Sequence, residues 1–190
     1  MATIRRFSAP TEDALWQQVS TDLGQQPDLF EYRAQLLQGG YELELNIDID
    51  LGGGFESGQA TTTLTALVPG NPALRFALHE QEWVHELGKL LGLTDVELGD
   101  PALDAAFIIT TNAPSALRHL LLQTPDARQM LLRYPTMRLA LAPPSSEPDA
   151  PLHLTFALDA ALTEPEELRA VYHLLLSLLE QITPLSPDNY

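Results

Sequence analysis

Ten consecutive residues, Tyr41-Glu-Leu-Glu-Leu-Asn-Ile-Asp-Ile-Asp50, alternate apolar and polar without a break. Successive side chains of an extended strand point to opposite faces. The pattern therefore gathers Tyr41, Leu43, Leu45, Ile47 and Ile49 on one face and Glu42, Glu44, Asn46, Asp48 and Asp50 on the other. A helix would scatter both sets around its axis. The chain must hold a sheet with one face in the core and one in water.

Neighbouring segments extend that sheet. Gln38-Gly-Gly40 reads as a tight turn, and Phe30, Tyr32, Ala34 and Leu36 alternate with Glu31, Arg33 and Gln35, which predicts a strand over 29–37. Gly52-Gly-Gly54 reads as a hairpin loop leading to a threonine-rich partner strand, Gln59–Leu67. Val68-Pro-Gly-Asn-Pro72 is a second turn, followed by a short strand carrying Leu74, Phe76 and Leu78. Thr136–Ala142 and Leu152–Leu158 are two further strands, separated by a polar, Pro-rich connector over 143–151. In the second of them His153 sits opposite the apolar face of Leu152, Leu154, Phe156 and Leu158.

Helical spacing appears over 8–23, where Leu15, Trp16, Val19 and Leu23 share a side, with Ser8 as cap and Pro10 in the first turn. It recurs over 79–91, with Trp83, Val84, Leu87, Leu90 and Leu91 inward, over 113–122, and briefly after Thr124. The last helix opens on Thr163-Glu-Pro-Glu166, the pattern of a capping box. Its apolar stripe, Leu168, Val171, Tyr172, Leu175, Leu179 and Ile182, is widened by Leu174, Leu176 and Leu178. So broad a face is either buried on the sheet, the favoured reading, or shared with a second copy as a homodimer.

These elements predict an α+β fold: a largely antiparallel sheet of about six or seven strands with helices packed mainly on one face. Residues 1–190 read as a single domain, with 1–28 as an N-terminal helical appendage.

The stretch Asp95–Asn112 joins a helix to a strand and that strand to another helix. Leu98-Gly-Asp-Pro101 is a turn, Ala105–Thr111 runs apolar on both faces like a doubly covered strand, Asn112 can cap the next helix, and Pro114 lies in its first turn. Asp100 and Asp104 are the one pair of acids here that could carry chemistry. Without a nearby His, Cys or third acid they read as turn and cap residues. The pattern Gly99-Asp-Pro-x-Leu103-Asp104-x-x-Phe107, after Leu90-Leu-Gly-Leu93 and before Thr111-Asn112, resembles that of a family of uncharacterised bacterial proteins in which it reads G-D-P-x-F-D-x-x-F. Leu103 stands where the family has an aromatic. The resemblance covers roughly residues 29–181 and implies a fold unit, with no chemistry attached.

Charge excludes partners. The chain has 26 acids against 10 lysines and arginines, a net charge of −16, and Lys89 is its single lysine. Such a surface repels phosphate backbones and anionic lipid, so neither nucleic acid nor membrane is expected as a partner. The acids are scattered and read first as solubilising. No apolar run is long enough to span a bilayer, and no secretory leader is read at the N-terminus, so the expected location is cytoplasmic. Zero cysteines exclude disulfides, thiolate metal sites and a Cys nucleophile.

Catalytic and ligand motifs fail one by one. Gly52-Gly-Gly54 lacks the Lys-Ser/Thr of a phosphate loop, and Asp48-x-Asp50 before it lacks the bidentate Glu of a calcium loop. His79-Glu80 and His85-Glu86 lack the second His of a zinc-protease helix, and there is no G-x-S-x-G. No catalytic, cofactor-binding or metal residue is assigned, and no cofactor is expected. The function read from the sequence is a non-catalytic protein-interaction or scaffold module, an acidic immunity- or inhibitor-type protein being one form of it. Its partner would be another protein or a second copy through the C-terminal helix. A domain binding a small apolar ligand is the alternative, and a hydrolase the remotest.

Overall fold

The computed structural model of the chain describes residues 4–26, 29–52, 58–80, 93–124, 126–144 and 150–184. Nine strands form one sheet: β1 (Arg5–Ser8), β2 (Glu31–Gln38), β3 (Tyr41–Asp50), β4 (Gln59–Leu67), β5 (Phe76–His79), β6 (Thr94–Asp95), β7 (Ile108–Thr111), β8 (Arg138–Ala142) and β9 (His153–Leu158). The described helices are α1 (Glu12–Leu23), α2 (Pro101–Ala106), α3 (Pro114–Gln123), α4 (Ala127–Arg133) and α5 (Pro165–Ile182). The strand order is β1-β2-β3-β4-β9-β8-β5-β7-β6. Among the described strands, only β1 and β2 pair in parallel.

The alternation of β3 is reproduced side chain by side chain: Tyr41, Leu43, Leu45 and Ile47 are buried, while Glu42, Glu44, Asp48 and Asp50 are exposed. Gly39 and Gly40 both have positive φ, 58° and 84°, as the two central residues of a hairpin turn matched to strand twist require. That turn sets the β2–β3 register, pairing Gln38 with Tyr41 and Ala34 with Leu45. Every strand from β2 to β4, with β8 and β9, buries the same alternate set. α5 touches β4 and β9 and also α1, α3 and α4. Its Leu168, Val171, Tyr172, Leu174, Leu175, Leu176, Leu178 and Leu179 are all buried within the chain. Trp16 of α1 meets Tyr172 edge-on, with ring centroids 5.6 Å apart. Leu15, Trp16 and Val19 belong to the same core as the sheet.

The mixed α/β character and mainly antiparallel sheet agree with the sequence reading. The count does not: nine strands replace the expected six or seven. The two additional ones, β1 and β6, are four and two residues long, too short to show a period. Ser8 ends β1 and does not cap a helix; α1 is capped by Thr11, whose Oγ1 accepts from Ala14 N at 3.4 Å. The stretch read as one strand from Ala105 is a short helix followed by a four-residue strand. Asn112 does not cap α3. Its carbonyl oxygen accepts from Arg75 N at 2.8 Å and its amide donates to Ala73 O at 2.7 Å, so it ties two loops together. The capping box of the last helix does not form either: Glu164 is the N-cap, without a side-chain bond. His79 closes β5 and does not open a helix. The rest of the helix expected up to 91, residues 81–92, lies outside the described residues, as do 53–57 and 145–149 of the two predicted loops.

Candidate functional site

The two aspartates singled out in the sequence are consumed by structure. Asp100 caps α2: its Oδ1 accepts from Ala102 N at 3.0 Å and Leu103 N at 3.2 Å, and its Oδ2 lies 2.6 Å from Arg128 Nε. The Arg128 guanidinium, aided by those amides, holds the Asp100 carboxyl below the usual range. Asp104 reaches back from within α2, accepting from Leu98 N at 2.7 Å and Gly99 N at 2.9 Å. Both of its oxygens are thereby satisfied. It fastens the preceding turn, where Gly99 holds a φ of 77°, rather than the start of a strand. His79 is buried with Nδ1 2.8 Å from Glu80 O, and His85 lies outside the described residues. Among the described residues, no three His, Cys, Asp or Glu side chains gather closely enough to hold a metal.

A cleft of about 360 Å³ lies between α1, α4 and α5. At its wall Glu12 accepts from Arg169 Nε and from His173 Nδ1, each at 2.8 Å, and Arg169 also reaches Asp13. A His held by a carboxylate is half of a nucleophile-activating arrangement. Among the described residues, the lining of the cleft includes no Ser, Thr, Cys or Lys side chain. The cluster acts as a clasp between the first and last helices.

Over β2, β3, β4, β9 and β8 one face of the sheet is mostly half-exposed or exposed; further across, the same side is covered, since Ala77 of β5 and Thr110 of β7, in register with Ala140, are buried. Alternation puts Glu31, Arg33 and Gln35 of β2, Glu42, Glu44, Asn46 and Asp48 of β3, Thr61, Thr63, Thr65 and Leu67 of β4, His153, Thr155 and Ala157 of β9, and Arg138, Ala140 and Ala142 of β8 on that side. The registers align them in rows. Gln35, Glu44, Thr65, Thr155 and Ala140 form one, and Arg33, Asn46, Thr63, Ala157 and Arg138 the next. The hydroxyls of Thr65 and Thr155 lie 3.4 Å apart. Over β8 and β9 the face sinks into a groove of about 250 Å³ walled by Pro143 and Pro144.

The charges on this face are uneven. Arg33 pairs with Glu31 at 3.0 Å and Arg138 with Asp159 at 2.7 Å. The remaining described arginine pairs engage Asp22, Asp100, Glu167, Glu12 and Asp13, all off the face. Among the described residues, no cation forms an ion pair with Glu42, Glu44 or Asp48. The sequence placed these three on the wet face. It did not show that the alanines of β8 and β9 share that face, because this depends on the strand order.

No family model, curated protein or solved structure matches the chain. No helix among the described residues is long and apolar enough to cross a membrane.

Proposed function

We propose that this chain is a non-catalytic protein-interaction module of the acidic immunity or inhibitor type, which covers a basic surface of a partner with the open face of its sheet. The observation that carries the reading is the exposed row Glu42, Glu44 and Asp48, which no cation pairs with among the described residues. Three carboxylates held on one rigid strand make a preorganised electrostatic target, and such complementarity raises association rate and selectivity. The picture takes the helices as packed mainly on the buried face, leaving the opposite side of β2, β3, β4, β9 and β8 for a partner, and the cytoplasm as the setting. The G-D-P-x-L-D-x-x-F segment then serves as a structural turn of a family fold. Dimerisation through α5 draws no support, since its leucines are already buried within the chain. An apolar-ligand site is the second reading; the face of α5 turned to the sheet is filled by its own buried leucines.

The test is affinity purification of the full chain from its source cells at low and high salt, beside the triple variant Glu42→Lys, Glu44→Lys, Asp48→Lys. A basic protein that is retained by the wild type, released by salt and lost with the variant supports the reading. Retention indifferent to the three substitutions, or no stoichiometric partner at all, refutes it.

A further inference from the structure

We propose that the occupant of the open face is an amphipathic helix of the partner. It would lay a basic edge along β3 and an apolar edge in the groove over β8 and β9. The inference rests on the acidic-interaction reading above and specifies what kind of surface it receives.

Dimensions argue for a helix. β3, β4, β9 and β8 are successive neighbours, so the acid row and the groove are three strand spacings apart, about 14 Å. A helix with its side chains is about 10–12 Å across. Lying over β4 and β9, it reaches the carboxylates with long basic side chains on one flank and the groove with apolar ones on the other. An added strand is not accommodated on a face, because its backbone groups need a sheet edge.

Chemistry argues for the same occupant. The groove lining includes Ala140, Ala142 and Ala157, three methyl-sized side chains that let a helix come close, with Pro143 beside them and Arg138 and His153 as its larger polar members. Leu67, on the same face, is 55% exposed, a large apolar side chain with no internal use. The middle of the face carries Thr65 and Thr155, short enough not to obstruct contact. A wholly polar partner would waste this apolar side, and a wholly apolar one would leave Glu42, Glu44 and Asp48 desolvated and unpaired. A second copy of the chain is disfavoured, since each brings a net charge of −16.

The probes are two synthetic peptides of identical composition. One segregates Lys/Arg and Leu/Ala on opposite helical flanks, and the other has the same residues in scrambled order. The wild type is expected to bind the segregated peptide about ten-fold more tightly than the scrambled one, with methyl NMR shifts at Ala140, Ala142 and Ala157. The decisive variant is Ala140→Glu with Ala157→Glu, checked for folding by circular dichroism. It adds two acids, so a purely electrostatic surface would bind both peptides more tightly, whereas a helix-docking surface loses its preference for the segregated one. Equal affinity for the two peptides, unmoved alanine methyls, or tighter binding by the variant overturns the helix inference and leaves the acidic reading standing. Failure of both peptides to bind overturns the two together.

Discussion

At the scale of single residues, Asp100 and Asp104 stand one helical turn apart and act on different backbone groups. Asp104 satisfies the amides of Leu98 and Gly99 in the turn. Asp104→Ala is expected to destabilise the fold by about 1–3 kcal/mol, with Asp104→Asn retaining part of that, read as a shift in denaturation midpoint at constant slope. Asp100 differs in its pH dependence. Its folded pKa lies below the unfolded value, so its stabilising contribution is present above the unfolded pKa, near 4, and is lost as pH falls through the folded one. The stability gap between wild type and Asp100→Asn should therefore be widest at neutral pH and close on acidification below about pH 4. A gap independent of pH would show that the Arg128 pair is not what holds the carboxyl down. Thr62 is a quieter example. Its buried hydroxyl donates to Ala160 O and accepts from Leu162 N, both at 2.8 Å, fixing the loop between β9 and α5 to the middle of the sheet. Thr62→Val keeps the shape and should cost about 1–3 kcal/mol, because it strands two buried backbone groups.

At the scale of elements, legibility followed length and period. β3 is readable to the residue because ten alternating positions leave one solution, and β4 follows as its partner across the glycine loop. β1 and β6 offered too few residues for any period. α2 was hidden because Ala105 and Ala106 merge with the apolar run of β7, and a six-residue helix makes barely one and a half turns. Asn112 and Thr163 illustrate a different limit. Each has the right chemistry for a cap, but Asn112 has nearer partners in Ala73 and Arg75. The candidate surface was half legible: the acids of β3 show in the pattern, while the alanine floor required knowing that β9 and β8 follow β4 across the sheet. The broad stripe of α5 is compatible in sequence with burial or a second copy, and in the fold its leucines are buried within the chain. Leu175 is fully buried, and Leu175→Ala should cost about 2–5 kcal/mol in chemical denaturation. A loss under 1 kcal/mol, about the cost of an exposed position, would mean that this helix is not sealed against the sheet.

At the scale of the molecule, the net charge of −16 is carried on a small surface, and the compact state concentrates the repulsion. Raising salt from about 0.01 to 0.15 M shortens the screening length from about 30 to 8 Å. The melting temperature should rise by about 2–4 °C for each kcal/mol of repulsion relieved. A melting temperature that stays flat or falls would place the acids in favourable local pairings instead.

A consequence also follows from how the sheet finishes. Its outermost strands are β1, four residues with Arg5 and Arg6, and β6, only two residues long. Neither presents a long flat ribbon of unbonded amides and carbonyls, the template on which cross-β aggregates grow. Growth by strand addition is thus discouraged at both described ends of the sheet, so contact with another molecule falls to the side of β2, β3, β4, β9 and β8.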